Sequence, residues 1–174
     1  MTERSFTRDG LSKRGFVGFV GFHGIDLNRV PTEPGVYVVL REKDSRPAFL
    51  ERNPAGRFKG MDPTVPVADL EAAWPDGAQC VYIGKAGVGS NGDRHLQQRI
   101  KEFRRYGDGF PVGHQGGRRI WQLADAVELI ISWLVTADQD PDDVEGALLR
   151  AFVAEHGRRP IGNRTSGRRA LRRG

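Results

Sequence analysis

Five side chains in this sequence have the types and spacing to do chemistry. They are Tyr37 in Gly35-Val36-Tyr37, Tyr82 and Lys85 in Tyr82-Ile83-Gly84-Lys85, Arg99 in Leu96-Gln97-Gln98-Arg99, and Glu145 in Asp142-Asp143-Val144-Glu145. A phenol is a poor base at its ordinary pKa of about 10, but a nearby cation or a metal-bound water brings its anion within reach. Lys85 stands three residues from Tyr82, across a glycine that leaves the approach open. A guanidinium on a helix can grip a phosphate through parallel hydrogen bonds. A single carboxylate suits Mg²⁺, which keeps most of its waters and completes its shell with phosphate oxygens. Together these groups meet the needs of phosphodiester hydrolysis: an activated water, a stabiliser for the added negative charge, and help for the leaving oxygen. Each also has a plainer reading. Strand tyrosines usually pack as amphipathic side chains, and Arg99 would be a solvated helix arginine. Glu145 would serve the helix dipole, a role for which Asp142 and Asp143 are nearer.

The elements that must position these residues follow from pattern. Gly35–Leu40 is β-branched and aromatic, a strand, and 80–84 is a second strand. Gly87, Gly89 and Gly92 make the next loop, where Ser90, Asn91 or Asp93 can cap a helix. Leu96, Ile100 and Phe103 share one face of that helix, which runs to about Tyr106 before Gly107. Arg99 then sits at the edge of the helix–sheet seam. Residues 118–123 read as a short helix and 127–136 as a buried third strand. Asp140-Pro141 supplies an N-cap and a first-turn proline. Val144, Leu148, Ala151, Phe152 and Glu155 form the inner stripe of a helix that Gly157 ends, with Glu145 at its edge. This order predicts an α+β domain: a small antiparallel or mixed three-stranded sheet flanked by helices. If the first two strands pair, Tyr37 and Tyr82 are neighbours.

These motifs, in this order, resemble the GIY-YIG endonuclease superfamily. Its first motif is similar to Gly35-Val36-Tyr37, with valine for isoleucine, and its second is intact as Tyr82-Ile83-Gly84. Lys85-Ala86 looks like the excision-repair branch. The family's helix arginine matches Arg99, its metal-binding glutamate Glu145, and its following asparagine Asn163 in Pro160-Ile161-Gly162-Asn163. The resemblance covers roughly residues 33–164 and implies catalytic roles for Tyr37, Tyr82, Lys85, Arg99, Glu145 and Asn163. It implies Mg²⁺, or Mn²⁺, held by Glu145. Which tyrosine handles the water stays open. Taken alone, Asn163 reads as a turn residue after Gly162.

Two departures stand out. Tyr37 and Tyr82 are 45 positions apart, so residues 42–78, rich in proline, form an insertion that must loop out between paired strands. It could be a substrate-facing flap or a partner-binding arm, with Trp74 anchoring it and a helical turn at 67–74. Phe103 occupies a place where some relatives carry tyrosine or histidine; Tyr106 or His114 could substitute. His114 lies among Gly113, Gly116 and Gly117, where it could meet a phosphate or be a plain surface turn residue. His114, Arg118 and Arg164 are secondary candidates for holding substrate. His23 and His95 read as surface residues.

Composition fits this picture. Net charge is +5 with 27 basic residues, and the arginine-rich end from Arg158 onward has no acid. Such a surface attracts phosphate-bearing partners by counterion release. The arginine bias would equally suit a GC-rich genome. The 174 residues fit one domain: an extension over 1–32, a domain over 33–164, and a tail over 165–174. Cys80 is the single cysteine, so no intramolecular disulfide forms. With no signal-like segment and no apolar run long enough for a bilayer, a cytoplasmic protein without membrane contact is expected. The function expected is a metal-dependent endonuclease acting on DNA. The alternatives are a non-cleaving nucleic-acid-binding module, or a subunit of a larger DNA-processing complex. A homodimer, or a partner protein docked on the insertion, is compatible with each.

Overall fold

The computed structural model describes residues 4–114 and 116–163. Its order is α1 (Arg8–Lys13), β1 (Val17–Gly21), β2 (Gly35–Leu40), α2 (Val67–Ala73), β3 (Cys80–Ala86), α3 (Leu96–Gly107), α4 (Gly117–Ile120), β4 (Ile130–Val135) and α5 (Pro141–His156), joined by loops and single 3-10 turns. The fold is α+β. The sheet has four strands rather than three, in the order β1-β4-β2-β3, every pair antiparallel. The added strand is β1, which lies within the stretch 1–32 that the sequence assigns to an extension. Gly18 and Phe19 take positive φ of 100° and 54°, and the register to β4 shifts between Gly18 and Val20. A β-bulge of this kind interrupts the period-2 signal.

β2 lies in the middle with both sheet faces covered, so all six of its residues are buried. Val36, Val38 and Leu40 pack with Leu148 and Phe152 of α5 and with Phe6 and Leu11 from the N-terminal segment. Tyr37 and Val39 point the other way, into a core with Leu96, Ile100 and Phe103 of α3. Each large apolar side chain so buried contributes about 1.5–3 kcal/mol. α5 has the expected ends: Asp140 caps through its side chain onto the Asp142 N–H, and Gly157 closes it with φ of 75°. α3 is capped by His95, not by Ser90, Asn91 or Asp93. The His95 ring nitrogen accepts the Gln98 N–H at 3.3 Å.

The insertion between β2 and β3 does not loop away; it folds back on the α3 side. Ala55, Val65, Leu70 and Trp74 join that core. Its backbone is tied by Gln122, whose amide bonds Leu50 O, Val65 O and the Val65 N–H. Among the described residues, no helix is long and apolar enough to cross a membrane.

Candidate active site

β3 is an edge strand, and this decides the site's geometry. Tyr82 extends from the face shared with Tyr37 and α3, while Ile83 faces α5. Lys85 is in the strand rather than beyond a turn, and it leaves on the α5 side, where it pairs with Asp142 and Glu145. The two side chains meet over the edge. A cleft of about 320 Å³ there is lined by Tyr82, Lys85, Gly87, Gly89, Arg94, Arg99, Asp142 and Glu145.

Gly84 explains why the two tyrosines can be neighbours. It is the cross-strand partner of Tyr37, and a β-carbon at Gly84 would lie 2.5 Å from Tyr37 Cζ and 2.6 Å from Tyr82 Cε1. The two ring centroids are 5.8 Å apart, and Tyr82 stacks on Phe103 at 5.5 Å. Asn163 clamps the outer edge of the same strand. Its Oδ1 accepts the Ile83 N–H at 2.9 Å and its Nδ2 donates to Ile83 O at 2.7 Å, while Gly162 N–H donates to Val81 O at 2.8 Å. Asn163 therefore supplies two of the backbone bonds a further strand would have made.

The charges are arranged in pairs. The Lys85 ammonium contacts Asp142 and lies 3.3 Å from Glu145 Oε2. Asp142 and Glu145 are one helical turn apart, which puts both on the Lys85 side of α5. Arg99 pairs with Glu102 on its own helix. Burial raises the Glu145 carboxyl above its ordinary range, against the pull of Lys85. Burial also raises both phenols. Tyr37, fully buried, goes well above the usual tyrosine value; half-buried Tyr82 is drawn back by the Tyr37 hydroxyl, Arg99 and Lys85. Of the two phenols, Tyr82 is the one that borders the cleft.

The cleft brings together Tyr82, Lys85, Arg99 and Glu145, with Tyr37 directly behind Tyr82. His114 is 3% exposed, so it is not a surface turn residue. Its Nε2 lies 3.0 Å from Tyr37 Oη and its Nδ1 3.1 Å from Gly117 N, behind the tyrosines rather than in the cleft. Arg118 is elsewhere: it donates to Pro63 O at 2.8 Å and Thr64 O at 3.2 Å and holds the insertion. Arg164 lies outside the described residues. Two cleft residues escape the sequence reading. Arg94 precedes α3 at the end of a glycine loop, and Asp142 is one turn before Glu145; the i, i+3 spacing of two carboxylates was the available signal for the latter.

The donor set bears on metal. Among the described residues no group of three or more His, Cys, Asp or Glu side chains converges as a closed metal cage. What is present is Glu145 with Asp142 beside it, already drawing one cation, Lys85. That set fits an oxygen-seeking ion that takes one carboxylate and leaves its other positions to water and phosphate. Comparison with protein-family models, with curated proteins and with solved structures gave no match to this chain.

Proposed function

We propose that this protein is a metal-dependent endonuclease that hydrolyses phosphodiester bonds in DNA, with a site of GIY-YIG type. The observation that carries the reading is the meeting of Tyr82, Lys85, Arg99 and Glu145, from three different elements, on one cleft at the edge of β3. Binding alone needs no half-buried carboxylate paired with Lys85 in a cleft that Arg99 also lines. The ordered motifs and the basic composition support the same reading.

In this proposal Arg99 exchanges Glu102 for an oxygen of the scissile phosphate. Lys85 gives up Glu145, stays near Asp142, and adds positive charge where the pentavalent state builds negative charge. Tyr82 orients the attacking water; after giving its own proton to the solvent of the cleft it takes up the water's proton as a phenolate, a form that Lys85 and Arg99 favour against the burial that raises its pKa. Glu145 would hold Mg²⁺ or Mn²⁺, which supplies Lewis-acid stabilisation at the phosphate when bound. Asn163 keeps the Tyr82-Ile83-Gly84 backbone in place.

The test is cleavage of supercoiled plasmid with Mg²⁺, with Mn²⁺ and with chelator, beside Glu145→Ala. Metal-dependent nicking or linearisation that the substitution abolishes is the expected result. A folded protein that binds DNA in chelator yet cuts no plasmid, junction or single strand at any metal concentration would overturn the enzyme in favour of a binding module.

A further inference from the structure

His114 is buried in an aromatic wall, with the Phe103 ring edge-on at 4.3 Å and Tyr82 at 5.7 Å. An imidazole placed there must satisfy both ring nitrogens from what surrounds it. The Gly117 N–H is shared between Nδ1 at 3.1 Å and the His114 carbonyl at 3.2 Å, and an N–H can only donate, so Nδ1 is an acceptor. The ring is neutral, since burial and the charge of Arg99 push its pKa down to about 3. Its one proton is therefore on Nε2. Nε2 lies 3.0 Å from Tyr37 Oη, so the histidine donates and the phenol oxygen accepts. Tyr37 must then turn its own proton away from His114; the Tyr82 ring is 5.8 Å away centroid to centroid, and the Tyr37 hydroxyl is among the groups that ease Tyr82 ionisation against burial.

We propose that His114 is a positioning residue: it fixes the direction of the hydrogen bonds from the Gly117 N–H through His114 to the Tyr37 oxygen, so that the Tyr37 proton is turned away from His114 and toward the neighbouring Tyr82, the phenol that borders the cleft. With its oxygen occupied by His114, Tyr37 can offer only its proton to the Tyr82 side, which favours negative charge on Tyr82 rather than on itself. The groups acting on Tyr82 from the packed elements are Tyr37 on β2, Lys85 on β3, Arg99 on α3 and Glu145 on α5. The role of the water rests on the endonuclease reading; the direction of the bonds does not.

Two measurements test it. First, nitrogen NMR of the metal-free ¹⁵N-labelled protein, with the His114 signals identified by their loss in His114→Gln. A protonated Nε2 and bare Nδ1, unchanged from about pH 5 to 8, are expected; a proton on Nδ1, or titration in that range, overturns the proposal. Second, plasmid cleavage by His114→Leu, His114→Gln, Tyr37→Phe and the double variant His114→Leu with Tyr37→Phe. His114→Leu should lower kcat about tenfold to a hundredfold with KM unchanged. His114→Gln, whose amide can still donate, should recover part of it, and the double variant should be no worse than Tyr37→Phe. Independent, multiplicative losses would sink the proposal. If the wild type cuts nothing, the endonuclease reading falls while the imidazole signals still decide the bond direction.

Discussion

Tyr37 lies across Gly84, its partner on the neighbouring strand, with so little space between them that a β-carbon at Gly84 would be 2.5 Å from the phenol carbon Cζ. The aromatic pair of the site therefore depends on a missing side chain. Gly84→Ala must push Tyr37 or the strand aside. It should cost about 1–3 kcal/mol, the usual range for overpacking a filled core. Gly87→Ala, a few residues along, meets no atom within 4 Å and should stay within about 0.5 kcal/mol of the wild type. Urea denaturation of both variants checks the contrast, and equal losses would refute it.

Glu145 sets function against stability. Its carboxyl is raised by burial, so ionisation is less favourable in the folded than in the unfolded chain, and folding stability declines as pH rises through the unfolded value near 4.5. At neutral pH the metal-free Glu145→Gln protein should melt no lower than the wild type. It should also lose any rise in Tm that Mg²⁺ or Mn²⁺ gives the wild type. A clear fall in Tm in chelator would show instead that the ion pair with Lys85 outweighs burial.

His114 predicts a pH dependence of the opposite kind. Its pKa falls from an ordinary 6.5 to about 3 on folding. Between those values the unfolded chain binds a proton that the folded one refuses, so stability drops as pH falls below 6.5. The slope approaches about 1.4 kcal/mol per pH unit for one such group. Carboxylates contribute to the acid limb of every variant, so the quantity to read is the difference. His114→Gln should lose less stability than the wild type between about pH 7 and 4.5. Parallel urea curves for the two proteins would contradict the buried neutral imidazole.

Two arginines should separate cleanly. Arg118 bonds the carbonyls of Pro63 and Thr64, so Arg118→Ala should lower stability by about 1.5–3 kcal/mol, the range for bonds to a charged group. The salt dependence of DNA binding should barely change. Arg99 is paired only one turn away on its own helix, a contact worth little for folding. Arg99→Ala should leave stability nearly unchanged, weaken DNA binding, and reduce the slope of log affinity against log salt by about one. Denaturation and binding titrations at several salt concentrations distinguish the two, and a reversed pattern would move the phosphate contact to Arg118.

Much of this protein was determined by the sequence alone, wherever the signal was local. The run Gly35–Leu40 is β2 residue for residue, because β-branched packing and flanking prolines mark it without reference to anything distant. Asp140, Pro141 and Gly157 bound α5 because caps act within one turn. Only the tertiary structure decided the rest. Residues 17–21 become a strand through pairing with β4, since their glycines and positive φ angles hide any alternation. His114 is buried because the chain after α3 folds over Tyr37, and nothing near it in sequence carries that information. Lys85 reaches Asp142 and Glu145 because β3 is the outermost strand, so side chains from its two faces can meet around one edge. Caps and strand runs are energies of near neighbours; sheet order and burial are energies of residues tens of positions apart, which composition and spacing do not encode.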